Sequence, residues 1–218
     1  MKALLIKDLY MAKRYCRSYL FIVGIFLLVS VFNPGQNLFF LAYPCVLAGM
    51  VSTTLLSFDE RMGWTSYCGC LPYTKRQLVG EKYLLGLIVE LVVWVVSLVC
   101  LALGMNRIGS FDSRTFLVLA LLLFAVAMLP GAINLPSVLL LGTERGRIVT
   151  MSIVAILCVG SLVLNLQSEE SAGTAFIGKV ALSQMPLSVA ALLAAVSVLL
   201  YALSYLFALR LYPGKIKE

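Results

Sequence analysis

The sequence predicts an all-α integral membrane protein with six transmembrane helices. An amphipathic helix lies on the membrane before the first of them, and a short helix lies in the first cytoplasmic loop. Three observations carry this. The chain is 61% hydrophobic and only 12% charged, with a mean hydropathy of +1.00, whereas soluble domains run near about 25% charged. Long apolar runs recur at 19–32, 38–58, 83–105, 116–141, 148–166 and 187–209, and crossing the hydrocarbon takes roughly 17–25 residues. The basic residues fall almost entirely on one side of those runs. Fourteen of seventeen (Lys2, Lys7, Lys13, Arg14, Arg17, Arg61, Lys75, Arg76, Lys82, Arg145, Arg147, Arg210, Lys215 and Lys217) lie on one side, and Arg107, Arg114 and Lys179 lie on the other. By the positive-inside rule both termini and the 59–82 loop are cytoplasmic.

Taken in order, residues 1–17 read as an interfacial helix. At 100° per residue Leu4, Leu5, Leu9, Met11, Ala12, Tyr15 and Cys16 share one side, and Lys2, Lys7, Lys13, Arg14 and Arg17 the other. Asp8 falls inside the apolar arc, against the pattern. Two readings stand: a basic topology anchor, or a helix that also touches a cytosolic partner. The first run is short unless 15–18 join it, with Arg14 and Arg17 snorkelling. Val31-Phe32-Asn33-Pro34 offers no small-x-small cleavage site, so the run is expected to stay as a span.

Residues 59–83, DERMGWTSYCGCLPYTKRQLVGEKY, interrupt the oily chain. The segment is too small for an active site and has the makeup of a docking surface. Pro72 suits the first turn of a helix, and Thr74 is a candidate cap one turn later. Lys75, Arg76, Gln77, Glu81 and Lys82 supply charge, and Leu78 and Val79 supply apolar grip for a partner's groove. The alternative is a solvated connector.

Glu90 lies seven residues into the third run, about 10 Å deep, where an acid faces protein or a wet cavity. It either ties helices together or lines a translocation path, and one acid alone makes no proton relay. Pro130, Gly131 and Pro136 interrupt the fourth run; Pro removes a backbone donor, so the stretch is a candidate hinge or a structural kink. The 167–186 segment is an outer loop, either ordinary or re-entrant with short helices buried by protein. The chain shows no internal repeat and no linker, so 1–218 is expected to form a single transmembrane domain.

Several chemistries are excluded. There is no histidine, so HExxH is impossible, and neither GxSxG nor GxxxxGK[ST] occurs. Only one acid lies deep inside a span, so a two-carboxylate site cannot form there. Cys68-Gly-Cys70 lacks a second pair, and the six cysteines are expected to be small apolar residues, binding no metal and forming no disulfide framework. The net charge of +7 is a topology signal with attraction to anionic lipid, and nucleic acid is not expected as a partner.

MKALLIKDLYMAKR at the start, DERMGWTSY after the second run and LPYTKRQLVGEKY before the third resemble short permeases of the type-two class of ABC exporters. The matching positions are Lys7, Asp8, Asp59, Glu60, Trp64, Tyr67, Leu71, Pro72, Arg76, Gln77, Lys82 and Tyr83. The motifs cover the first 85 residues, and beyond them the span pattern agrees. The resemblance implies an amphipathic entry helix, an ATPase-coupling helix in the 59–82 loop and short re-entrant helices before the last span. The expected coupling residues are Asp59, Glu60, Arg61, Leu71, Pro72, Lys75, Arg76, Gln77 and Leu78. It further implies a non-enzymatic permease of the bacterial cytoplasmic membrane, paired with a second permease copy or paralogue. A separate ATPase subunit would bind ATP and Mg, and this chain would bind no cofactor. Size and layout are similar to exporters of amphipathic peptides such as phenol-soluble modulins or bacteriocins. The alternatives are a lipid or drug exporter, or a non-transporting scaffold or sensor subunit.

Overall fold

The computed structural model describes residues 2–15, 17–32, 37–64, 67, 74–108, 112–142, 144–146, 148, 152 and 186–211. Among the described residues every long element is an α-helix and there is no strand. In order they are α1 (Lys2–Tyr15), α2 (Arg17–Phe32), α3 (Asn37–Arg61), α4 (Lys75–Ile108), α5 (Ser113–Leu141) and α6 (Leu187–Leu211).

Among the described residues four helices are long and apolar enough to cross a membrane unaided: Phe40–Arg61, Arg76–Arg107, Ser113–Leu141 and Leu187–Leu211. Helix α2 has 16 residues, about 24 Å at 1.5 Å per residue, short of a hydrocarbon core of about 30 Å. It meets α1 at a 66° bend, and the two together make a fifth crossing only as a bent pair. The expected fifth run, 148–166, lies outside the described residues apart from Ile148 and Ser152, as does all of 167–185.

Helix α1 buries a narrower face than its wheel suggests. Leu4 is buried, and Leu5, Met11 and Ala12 pack on Val51, Leu55 and Leu85 of α3 and α4. Leu9, expected on the apolar side, is 50% exposed, while Asp8 is fully buried. Buried Leu4 and Asp8 and half-buried Met11 and Ala12 follow helical spacing, so the acid belongs to the packed face.

Helix α3 ends where Met62 N–H donates to the Phe58 carbonyl and Gly63 N–H to that of Glu60. Gly63 has φ of 68°, the left-handed conformation that closes helix C-termini and that side-chain-bearing residues disfavour. This turn brings Trp64 back toward the end of the bundle.

Helix α4 starts at a cap. Thr74 precedes its first turn, Thr74 N–H donates to Gln77 Oε1 at 3.2 Å, and the Thr74 carbonyl accepts from Gln77 and Leu78 N–H. Thr-x-x-Gln is one half of a capping box. The helix then runs unbroken for 34 residues, about 51 Å, so its first turns extend beyond the hydrocarbon. The expected separate short helix over 71–83 is corrected in that respect. From Lys75 onward it is the leading end of the span, because nothing between Lys75 and Tyr83 breaks a helix. Leu71 and Pro72 lie outside the described residues.

Helix α5 is capped by Asp112, which accepts from Arg114 N–H at 3.3 Å and Thr115 N–H at 3.2 Å. The Thr115 hydroxyl and these amides hold its carboxyl below the usual range. The helix continues through Pro130 and Pro136, each removing the amide that would serve the carbonyl four residues earlier. Helices α4, α5 and α6 meet around Tyr83, Met128, Leu135 and Tyr201. Leu27, Leu41, Leu101 and Leu123 join α2 to α3, α4 and α5. The outward leucines of α6 (Leu192, Leu199 and Leu203) are about 60% exposed, as expected of a face whose solvent is lipid.

Candidate functional site

Four charged side chains close into a ring where α1, the end of α3 and the start of α4 converge. Lys82 Nζ donates to Asp8 Oδ2 and, at 2.5 Å, to Asp59 Oδ2. Lys7 Nζ lies 2.7 Å from Asp59 Oδ1 and 3.1 Å from Asp8 Oδ1, with the Trp64 ring 4.0 Å away over its cation face. Each lysine thus faces both aspartates, and two positive charges meet two negative ones. Asp8 is 0% exposed and Asp59 2%, while the Lys7 side chain keeps 24% of its surface exposed, so the ring is a largely desolvated, charge-balanced arrangement of the kind that costs most when a buried member is removed. Burial pushes the Asp8 carboxyl up, but Lys82, through charge and hydrogen bond, and then Lys7 outweigh it and hold the carboxyl below its ordinary range. Glu81 is a further buried acid beside Asp8, and its Oε1 has no hydrogen-bond partner among the described residues.

The expected coupling residues divide around this ring. Asp59 belongs to it and is shielded from any partner. Glu60 and Arg61, which follow Asp59, are exposed, as is Arg76 at the head of α4, where Gln77 and Leu78 are half-buried. The Glu60 carboxyl lies beside Gly142 at the end of α5, 3.6 Å from where a Cβ would stand. The Lys75 side chain, Leu71 and Pro72 lie outside what the structure describes. Lys7, Asp8 and Lys82 were not expected to act together. Two advance signals bore on them: Asp8 in the apolar arc of α1, and the presence of Lys7, Asp8, Asp59 and Lys82 among the positions that resemble the exporter permeases.

A second polar position lies deeper. Glu90 is 0% exposed, and neither carboxyl oxygen has a hydrogen-bond partner among the described residues. Its Oε1 occupies the space where a Cβ on Gly131 would stand, and lies 3.3 Å from where one on Gly49 would stand. A Cβ on Gly49 would also meet Pro130 Cβ at 2.7 Å. The acid and the Pro130-Gly131 interruption, singled out separately in the sequence, are therefore one contact: the proline–glycine pair makes the slot that holds the carboxyl. Glu90 is enclosed within a single chain's bundle by α3, α5 and α6. Pro136 sits six residues further along α5 and is half-buried.

Among the described residues no group of three or more acids and cysteines is placed to hold a metal. The chain matches the family model described as ABC-2 family transporter protein over residues 3–213. The chain belongs to the ABC-2 transporter family. A comparison with curated proteins found no match. The permease is accordingly a multi-pass membrane protein, and its family normally works with an ATPase subunit. The ring joins Asp59 and Lys82, the two residues that bound the polar 59–82 segment, to Lys7 and Asp8 of α1.

Proposed function

We propose that this chain is the transmembrane subunit of an ATP-driven exporter, working as one of a pair with two separate ATPase subunits. Its cargo is an amphipathic peptide of the toxin or bacteriocin kind. The observation that carries the coupling part is the buried ring of Lys7, Asp8, Asp59 and Lys82. It links the interfacial helix, the second span and the third span at one point, next in sequence to exposed Glu60 and Arg61 and about 9 Å along α4 from exposed Arg76. ATPase closure would push on the exposed residues, and the ring would pass the displacement to α1, α3 and α4 together. Both termini and the 59–82 segment would face the cytoplasm of a bacterial cell, with six crossings in all. An interior poor in charge suits amphipathic cargo better than ions or sugars.

The test is reconstitution of the permease with the ATPase that co-purifies with it. Hydrolysis stimulated by an amphipathic helical peptide, with uptake of that peptide into inverted vesicles, is the expected result. Stimulation by a lipid or a hydrophobic drug in its place would move the cargo class. A permease that recruits no ATPase would leave a scaffold or sensor as the reading. Labelling from outside intact cells of a cysteine placed at Ser171 but not at Lys215, on a cysteine-free background, is expected for the orientation, and the reverse would overturn it.

A further inference from the structure

Four polar or small pairs line the α3–α4 interface in register. Asp59 meets Lys82, and Ser52 Oγ lies 2.8 Å from where a Cβ on Gly86 would stand. Gly49 meets Glu90, and Cys45 Sγ lies 3.8 Å from Ser97 Oγ. Positions 45, 49, 52 and 59 on α3, and 82, 86, 90 and 97 on α4, keep helical spacing, so each set forms one stripe. All eight residues are buried. A bundle built mainly of leucine, valine and alanine therefore carries a row of non-aliphatic contacts from the ionic ring to the acid at its centre, flanked by the packed Val51, Leu55 and Leu85.

Three side-chain atoms in this seam, Ser52 Oγ and both oxygens of Glu90, have no hydrogen-bond partner among the described residues. The groups around Glu90 make ionisation costly. Helix α3 presents the Cys45 thiol, and α5 presents Pro130 and Gly131, which have nothing to titrate. Helix α6 presents the Tyr201 phenol, whose hydroxyl donates to the Tyr83 carbonyl at 2.8 Å. Lys82, the cation of the seam, is eight residues away on the same helix, about 12 Å. A carboxylate with neither oxygen paired is strongly unfavourable in a helix-bundle interior, and the protonated acid far less so. In the closed arrangement Glu90 therefore keeps its proton. The seam has glycine on α3 at position 49 and on α4 at position 86, against which the Glu90 carboxyl and the short Ser52 side chain are seated, so parting the two helices there would admit water from the ring end.

We propose that Glu90 is a proton-exchange site, loaded and unloaded through the α3–α4 seam from the side of the ionic ring. It is neutral while α3 and α4 are closed and ionised when they part. On opening, the O–H bond of the acid breaks, the electron pair stays on the carboxylate and the proton passes to water on the ring side; closure reverses the step. The Ser52 hydroxyl, standing between the ring and Glu90, is the relay. The inference does not depend on the nature of the cargo.

Infrared difference spectroscopy of the full chain in lipid bilayers tests it. Wild type minus Glu90→Gln is expected to show the C=O stretch of a protonated carboxylic acid. That band should shift in deuterated water and give way to carboxylate at alkaline pH. Ser52→Ala should slow the deuterium shift about tenfold, the effect of removing the one hydroxyl on that path that could hydrogen-bond to entering water, and Cys45→Ala, beyond Glu90 from the ring, should leave it unchanged. A band that never shifts, or is the same at every pH, means a permanently neutral structural tie and overturns the proposal. So does a Ser52→Ala protein that exchanges at the wild-type rate. Should the glutamine variant misfold, the unmutated protein still decides the matter. Dicyclohexylcarbodiimide, a lipid-soluble reagent for protonated carboxyls, is expected to modify Glu90 in peptide mass maps, less so as pH rises, and an unmodified Glu90 refutes the site.

Discussion

Replacing Lys82 by methionine keeps most of the side-chain volume and removes the charge that faces both aspartates. Its Nζ stands 2.5 Å from Asp59 Oδ2; at an effective dielectric of about 20 that one contact is a gross attraction of about 7 kcal/mol. Desolvation of the partners offsets much of this. The net cost of removing one member of a buried pair is about 3–5 kcal/mol, because the uncompensated charge stays behind. Here Lys7 would remain alone with Asp8 and Asp59, one positive charge against two buried negative ones. The assay is equilibrium unfolding of the purified permease followed by tryptophan emission. The chain has two tryptophans. Trp94 donates to the Ala120 carbonyl in mid-bundle, so a Trp94→Phe background leaves Trp64, stacked on Lys7, as the reporter of the ring. The expected loss is about 3–5 kcal/mol, with most of it regained in Lys82→Met/Asp8→Asn, where Lys7 and Asp59 restore a one-to-one balance. A loss below about 1 kcal/mol, the level of a solvated surface pair, would refute the reasoning. So would a double variant no better than the single one.

Three further outcomes follow from the same geometry. Gly49→Ala puts a methyl 2.7 Å from Pro130 Cβ and 3.0 Å from the Gly131 nitrogen, and overpacking of this kind costs about 1–3 kcal/mol; Gly24→Ala, with nothing within 4 Å, should be neutral or better in the same melt. Arg76→Glu, at an exposed position, should abolish peptide-stimulated ATP hydrolysis while leaving the unfolding midpoint unchanged; Leu78→Asp should lower both, since Leu78 is half-buried, and a normal rate with Arg76→Glu removes the docking role of this turn. The Asp8 carboxyl is held below its unfolded value, so its contribution is present above about pH 4 and is lost as pH falls through the folded value. Trp64 emission should change in that acid window, and an Asp8→Asn protein showing the same transition there would assign it to another group.

Composition, run length and the one-sided placement of basic residues made the membrane class legible, because bilayer insertion is read out locally along the chain. Glu90 was legible for the same reason: a single acid inside an apolar run has a cost that no neighbour in sequence offsets. Its slot was not, since Gly49 and Gly131 carry no chemistry of their own and acquire meaning only when α3 and α5 cross over α4. The head of α4 was misread because Pro72 and Thr74 resemble the start of a short free helix. With Gln77 completing the cap and no breaker before Tyr83, that start belongs to the span itself. The ring was hidden by distance, with Lys7 and Asp59 separated by 52 positions and Asp8 and Lys82 by 74. What betrayed it was a defect, the aspartate inside the apolar arc of α1. An amphipathic helix that only rested on lipid would have no use for a buried acid there, whereas a helix clamped to the ends of two spans requires one. The continuity of α4 then joins the two polar positions mechanically. Lys82 and Glu90 are two turns apart on a single rigid helix that begins at the exposed Arg76 turn. On the coupling proposed above, a push at that turn that shifts α4 against α3 would act on the ring and on the glycine-lined seam through the same helix.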